Sequence, residues 1–191
     1  MKLKLGLLAA AGTLAALFTG CLVVSVYPYY NEKDLVFETG LVGSWSKTDG
    51  QSERWKFEKQ DTNTYQLTVT NSSETNVMQA HLFKLHGQLF IDLYAPDAST
   101  DVQPPPIPSH LLLRVQSLSP SLKLTVLDFA WLRDLLLKNP KALRHEIIKT
   151  NDKPEDRPIA LTADTAELQA FLAKHLDTKE AWGDPFELKR D

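Results

Sequence analysis

Apolar and polar residues alternate strictly in Tyr65-Gln66-Leu67-Thr68-Val69-Thr70. A period of two puts the apolar set on one face, so this segment predicts a half-buried β-strand. Trp55 and Phe57 alternate with Lys56 and Glu58 in a strand before it, and Asp61-Thr62-Asn63 supplies turn residues between the two. Met78 to Leu85 predicts a longer strand, with Leu89 to Tyr94 as its partner. His86-Gly87 between them is a two-residue loop with glycine second, which suits a tight hairpin turn. His110 to Val115 and Leu122 to Leu127 predict a further pair, joined through Ser117 to Ser121. Consecutive strands with short turns imply an antiparallel meander.

The period changes late in the chain. Asp128 can cap a helix from Phe129 to about Lys138, and Asn139-Pro140 stops or kinks it. Asp164-Thr165-Ala166-Glu167 has the form of a capping box with aspartate in the cap position. The helix that follows places Leu168, Phe171, Leu172 and Leu176 on one face. Ile147-Ile148 and Ile159-Ala160-Leu161 predict short strands flanking the charged loop Asn151 to Arg157, and Phe186-Glu187-Leu188 predicts a last edge strand. The expected fold class is α+β, a curved antiparallel β-sheet or barrel with two packed helices, in a single β-rich domain over residues 41–191.

The first forty residues follow another logic. Lys2 and Lys4 precede an apolar stretch from Leu5 to Phe18, which is the charge and length pattern of a secretory signal. Phe18-Thr19-Gly20-Cys21 closes it, and Cys21 is the only cysteine in the chain. An odd thiol in an exported protein calls for an explanation. These residues resemble the lipobox of bacterial lipoproteins, with Phe18 in the place of the family's usual leucine. The resemblance implies a signal peptide over residues 1–20, acylation of Cys21 and a lipidated tether over residues 21–40. It also implies attachment to the membrane through the acyl chains. Leu22 after the cysteine resembles the sorting pattern for the periplasmic face of the outer membrane in a Gram-negative envelope. An uncleaved transmembrane helix and a buried core helix are the competing readings, the first because Leu5 to Val26 carries no charge and is long enough to span a bilayer.

Removing residues 1–20 takes away Lys2 and Lys4 and no acid, leaving 19 basic against 24 acidic side chains, a net charge of −5. A mildly acidic surface argues against nucleic acid as a partner.

Gly43 and Trp45 open the strand region. A Gly-x-Trp at the start of the first strand resembles the opening motif of the lipocalin family and its calycin relatives. That resemblance implies a lipocalin-like barrel in which the glycine lets the chain enter and the tryptophan closes one end of the core. The chain is also similar to bacterial lipoproteins that pair such an opening with a helix like Leu161 to Leu172 near the end, and no activity comes with that likeness.

Candidate chemistry is sparse. His81, His86, His110, His145 and His175 form neither His-x-His nor His-Glu-x-x-His, so no metal site and no cofactor is expected. No Gly-x-Ser-x-Gly elbow occurs. His86 reads as a turn residue and His175 as a boundary helix residue, while His81 and His110 can approach each other across the sheet. Asp92, Asp128 and Asp134 are the available carboxylates, with Asp128 better used as a helix cap. Trp45, Trp55, Phe57, Phe83, Phe90 and Trp131 either fill the core or line an apolar cavity. Val102 to Pro108 reads as a stiff extended connector.

The expectation is therefore a lipid-anchored envelope protein that is not an enzyme. It would bind a small apolar ligand, at residues the sequence does not identify, or serve as an accessory or interaction module. The alternative is a hydrolase-like enzyme using His81 or His110 with a carboxylate.

Overall fold

The computed structural model describes residues 23–47, 53–94, 109–148, 153 and 156–191. The expected signal peptide and Cys21 lie outside the described residues, as does the proline-rich connector from Val102 to Pro108.

The strands are β1 (Val23–Ser25), β2 (Gly43–Lys47), β3 (Arg54–Lys59), β4 (Tyr65–Thr70), β5 (Thr75–Leu85), β6 (Gln88–Tyr94), β7 (His110–Ser117), β8 (Ser121–Val126), β9 (His145–Ile147), β10 (Ile159–Leu161) and β11 (Phe186–Arg190). Helix α1 (Phe129–Lys138) follows β8, and α2 (Thr165–His175) follows β10. Strands β2 to β8 form an antiparallel meander. Strand β11 then pairs with β8 through Leu188↔Leu122 and with β2 through Leu188↔Lys47. The result is a closed eight-stranded antiparallel barrel with two helices, the lipocalin-like α+β architecture expected from the sequence.

Phe186-Glu187-Leu188 is thus no edge strand but the strand that shuts the ring. Its outward Glu187 and Lys189 give it an edge-like pattern, and the pattern of a single strand carries no information about its neighbours.

The hairpin at His86-Gly87 is as expected. Both residues have positive φ, 48° and 85°, which matches the twist of the flanking strands. Both helix caps also form: the Asp128 carboxylate accepts from Trp131 N at 2.7 Å, and Asp164 accepts from Glu167 N at 3.0 Å. Glu167 does not complete the capping box. Its carboxylate accepts from Arg144 Nε at 2.8 Å instead.

Two apolar cores result. The first fills the barrel with Trp45, Trp55, Phe57, Tyr65 and alternate residues of every strand. The second lies outside the barrel wall, where Phe83, Phe90 and Leu112 meet Leu132 and Leu136 of α1 and Leu168, Phe171 and Leu172 of α2. Strands β5 and β6 therefore bury both faces. The aromatics grouped in the sequence reading divide between these cores: Trp45, Trp55 and Phe57 are inside the barrel, Phe83 and Phe90 are outside it, and half-buried Trp131 packs on Phe171.

Residues 23–40, read as a tether, are part of the domain. β1 pairs in parallel with β10, and β10 pairs with β9, which makes a small sheet attached to β7 at Ser25↔His110. Beyond it the chain is fixed along the barrel wall: Val36 N donates to Leu82 O at 2.9 Å, and Glu38 N donates to the Tyr65 hydroxyl at 2.7 Å. Gln169 Nε2 donates to Tyr29 O at 3.1 Å and to Asp34 Oδ2 at 2.8 Å, which ties the same segment to α2. The polar run Asn31-Glu32-Lys33-Asp34 keeps its first three residues exposed and forms a short 3₁₀ turn that Gln169 of this helix holds at Asn31 and Asp34.

Gly43 has a local explanation. Its φ is +136°, a conformation that side chains rarely adopt, and a Cβ there would stand 2.5 Å from Arg190 Nη1. That guanidinium lies 4.3 Å from the Trp45 ring centroid and donates to the carbonyls of Val42 and Gly40.

Candidate functional site

Among the described residues, the outward face of β5, β6 and β7 carries a buried polar cluster that joins sequence-predicted histidines to a carboxylate. Asp92 is opposite His81 on β5 and Leu112 on β7, and Tyr94 is opposite His110. The alternation that sends Ile91 and Leu93 into the barrel sends Asp92 outward, beneath the segment that follows β1. No part of Asp92 is exposed. A buried carboxylate needs partners for its lone pairs. Oδ1 is 2.7 Å from His110 Nδ1, and Oδ2 accepts from Tyr29 N at 2.9 Å. An ionised carboxylate only accepts, and in that form of Asp92 the contact requires the Nδ1–H tautomer of His110.

The two histidines differ. The His110 ring stacks on Tyr94 with centroids 4.9 Å apart. The His81 ring stacks on Tyr30 at 4.7 Å, and its Nε2 meets Thr64 Oγ1 at 3.4 Å. His81 Nδ1 is buried and makes no hydrogen bond among the described residues. Burial pushes the His81 ring below the usual histidine value, the Asp92 carboxylate pulls it back up, and His110 lowers it again. The tyrosines resist ionisation. Burial, with Asp92 adding to it, raises Tyr29 beyond any physiological range, against a hydrogen bond from Ser25. Burial, then Asp92 and Glu32, pushes Tyr30 up to about 12.

In a triad of nucleophile, base and orienting carboxylate, one ring makes both contacts. Here the carboxylate orients His110, whereas the hydroxyl of Thr64 meets His81. The two contacts fall on different rings. What the geometry does supply is a buried link between the barrel wall and the segment carrying Tyr29. Among the described residues, no three His, Cys, Asp or Glu side chains are grouped closely enough to hold a metal ion.

The other candidates are scattered. Asp128 caps α1, and Asp134 pairs with Arg133 at 2.8 Å on the surface. His86 forms the hairpin turn, His145 Nδ1 contacts Leu143 O at 2.9 Å, and His175 packs on Phe171 at 4.7 Å. The bond from Tyr29 to Asp92 was not visible in the sequence, where the tyrosines of Tyr27-Pro28-Tyr29-Tyr30 read as interfacial, as packed back on the domain or as linker; Tyr29 and Tyr30 pack back on the domain. The signal that could have found it is Asp92 itself, an acid inside the apolar strand Leu89 to Tyr94.

The lowered His81 value has a sign that can be tested. The unfolded chain takes up a proton near the ordinary histidine value of 6.5, while the folded ring resists it. Stability therefore falls as pH drops below about 6.5. His175 is lowered too, by burial and by Lys174, and adds to the same slope. The expected result is a urea midpoint lower at pH 5 than at pH 7.5, with the difference reduced in His81→Gln. An undiminished difference in that variant would assign the slope to other groups.

Comparison of the chain with protein-family models, with curated proteins and with solved structures gives no match.

Proposed function

We propose that this is a lipid-anchored envelope protein whose barrel is a non-catalytic accessory module, acting through its outer surface rather than by holding a small ligand. The observation that carries this reading is the filled barrel. A cavity wide enough for a ligand leaves exposed surface on the side chains around it. Trp45, Trp55, Phe57, Tyr65, Leu67, Leu82, Leu93, Leu113, Leu122 and Leu188 each show 0% exposure. Eight-stranded barrels are of the size that side chains alone can fill. The anchor rests on the resemblance of Phe18-Thr19-Gly20-Cys21 to a lipobox, and the compartment is the periplasmic face of the outer membrane if the envelope is of Gram-negative type.

Native mass spectrometry of the whole protein released from detergent tests the filled interior. The expected mass is that of the chain with its covalent acyl groups. One apolar molecule per chain, removed by organic solvent without loss of the acyl groups, would make the protein a ligand carrier instead.

The 2.7 Å contact between Asp92 and His110 favours a second reading, a hydrolase-like enzyme with His110 as its base. Ester turnover by the same preparation, abolished in a folded His110→Gln variant, would put that reading first.

A further inference from the structure

We propose that the end of the small sheet that carries Ile147 and Ile148, where the charged loop Asn151 to Arg157 joins β9 to β10, is the face of the domain that rests on the lipid bilayer. This rests on the reading of Cys21 as the acylated residue and adds to it the orientation of the domain.

The argument begins with chain length. Strand β1 starts at Val23, so its first Cα is only two residue steps from that of Cys21. Two residues reach at most about 7 Å. The packing of residues 23–40 removes the long tether that would let the domain turn freely, so one side of it is held against the membrane. The register identifies that side. Val23, the end of β1 nearest the anchor, is level with Ile159 on β10, and Ile159 is level with Ile147 on β9. Two strand spacings place Ile147 roughly 10 Å from Val23. Ile148 N donates to Pro158 O at 2.9 Å, which keeps the next residue at the same end.

Ile147 is 36% exposed and Ile148 42% exposed. Both isoleucines therefore present apolar surface at this end of the sheet. Strand β9 is also the last strand of the sheet order, and its outer edge is not covered by another strand among the described residues. That edge reads His145-Glu146-Ile147, and the open backbone groups of an edge strand are a hazard in water. At a membrane interface the isoleucines enter the acyl boundary, and the lipid headgroups and their water serve the open backbone groups.

The test uses the acylated, full-length protein in phosphatidylcholine vesicles. Cys21 is the only cysteine, and acylation occupies its thiol, so an added cysteine takes a fluorophore at one position. The labelled variants are Ile147→Cys and Ile148→Cys, with Val77→Cys and Lys56→Cys as references. Val77, 53% exposed, is on β5, and exposed Lys56 is on β3, opposite β7 across the ring. Shallow nitroxide lipids are expected to quench the labels at 147 and 148 at least threefold more than those at 77 and 56. Equal quenching on a chain whose mass shows acylated Cys21 overturns this orientation and leaves the anchor standing. Labels at 147 and 148 shielded from aqueous iodide but not quenched by the lipids indicate a second copy or another protein on this edge, and also overturn it. A mature chain without acyl groups on Cys21 removes the anchor and the orientation together.

Discussion

Trp45→Ala lowers the stability of the domain by about 3–5 kcal/mol, the cost of truncating a large buried aromatic. Trp45 has no exposed surface, and its Nε1 donates to Leu41 O at 3.0 Å inside the barrel. The substitution opens a void among packed side chains, leaves the Leu41 carbonyl unpaired and takes the ring from beneath Arg190. That guanidinium also holds the Val42 carbonyl at 2.9 Å, so its loss of footing loosens the entry to β2. The cation–π contact adds on the order of 1 kcal/mol. Equilibrium urea unfolding reads the result directly, and a midpoint equal to that of the parent protein would mean that this tryptophan does not close the core.

Asp92→Ala removes about 3 kcal/mol and detaches the segment around Tyr29. The carboxylate is the acceptor for Tyr29 N and for His110 Nδ1, and both donors sit in low-dielectric surroundings. Deleting one partner of a buried, charge-assisted contact leaves the others desolvated without return. The loss is local as well as global, so hydrogen exchange of the Tyr29 amide should accelerate more than that of the amides within β3. Asp92→Asn separates charge from hydrogen bonding, since its amide oxygen can still accept one of the two bonds. It should retain part of the stability. If Asp92→Ala keeps the parent stability and the parent protection at Tyr29, the cluster is not what holds this segment down.

The sequence was legible where one face of an element meets water. Tyr65 to Thr70 and Trp55 to Glu58 announce their strands because Lys56, Glu58, Gln66 and Thr68 face outward, and their observed bounds follow that alternation. The caps at Asp128 and Asp164 were legible for a similar reason, since each needs only a few consecutive residues. Legibility fails where both faces are buried. In β6, Phe90, Ile91, Asp92 and Leu93 are all inaccessible, so alternation no longer separates core from surface, and Asp92 reads as one carboxylate among several. The approach of His81 to His110 was expected, but not that the carboxylate between them would be shared with the backbone of Tyr29. That contact joins positions 63 residues apart. The closing position of β11 was hidden likewise, because two helices intervene between β8 and its neighbour.

That late strand carries a kinetic consequence. The contact between Arg190 and Val42 spans 148 positions, so the ring shuts through one of the least local pairings in the chain. Contacts of that kind must meet the entropy of a very long loop before they return any energy. The meander from β2 to β8 can assemble from neighbouring hairpins, but until β11 arrives it remains an open, curved sheet with two unpaired margins. Closing the ring therefore requires an encounter between the two ends of the barrel chain, and until it occurs both margins offer open backbone for mispairing.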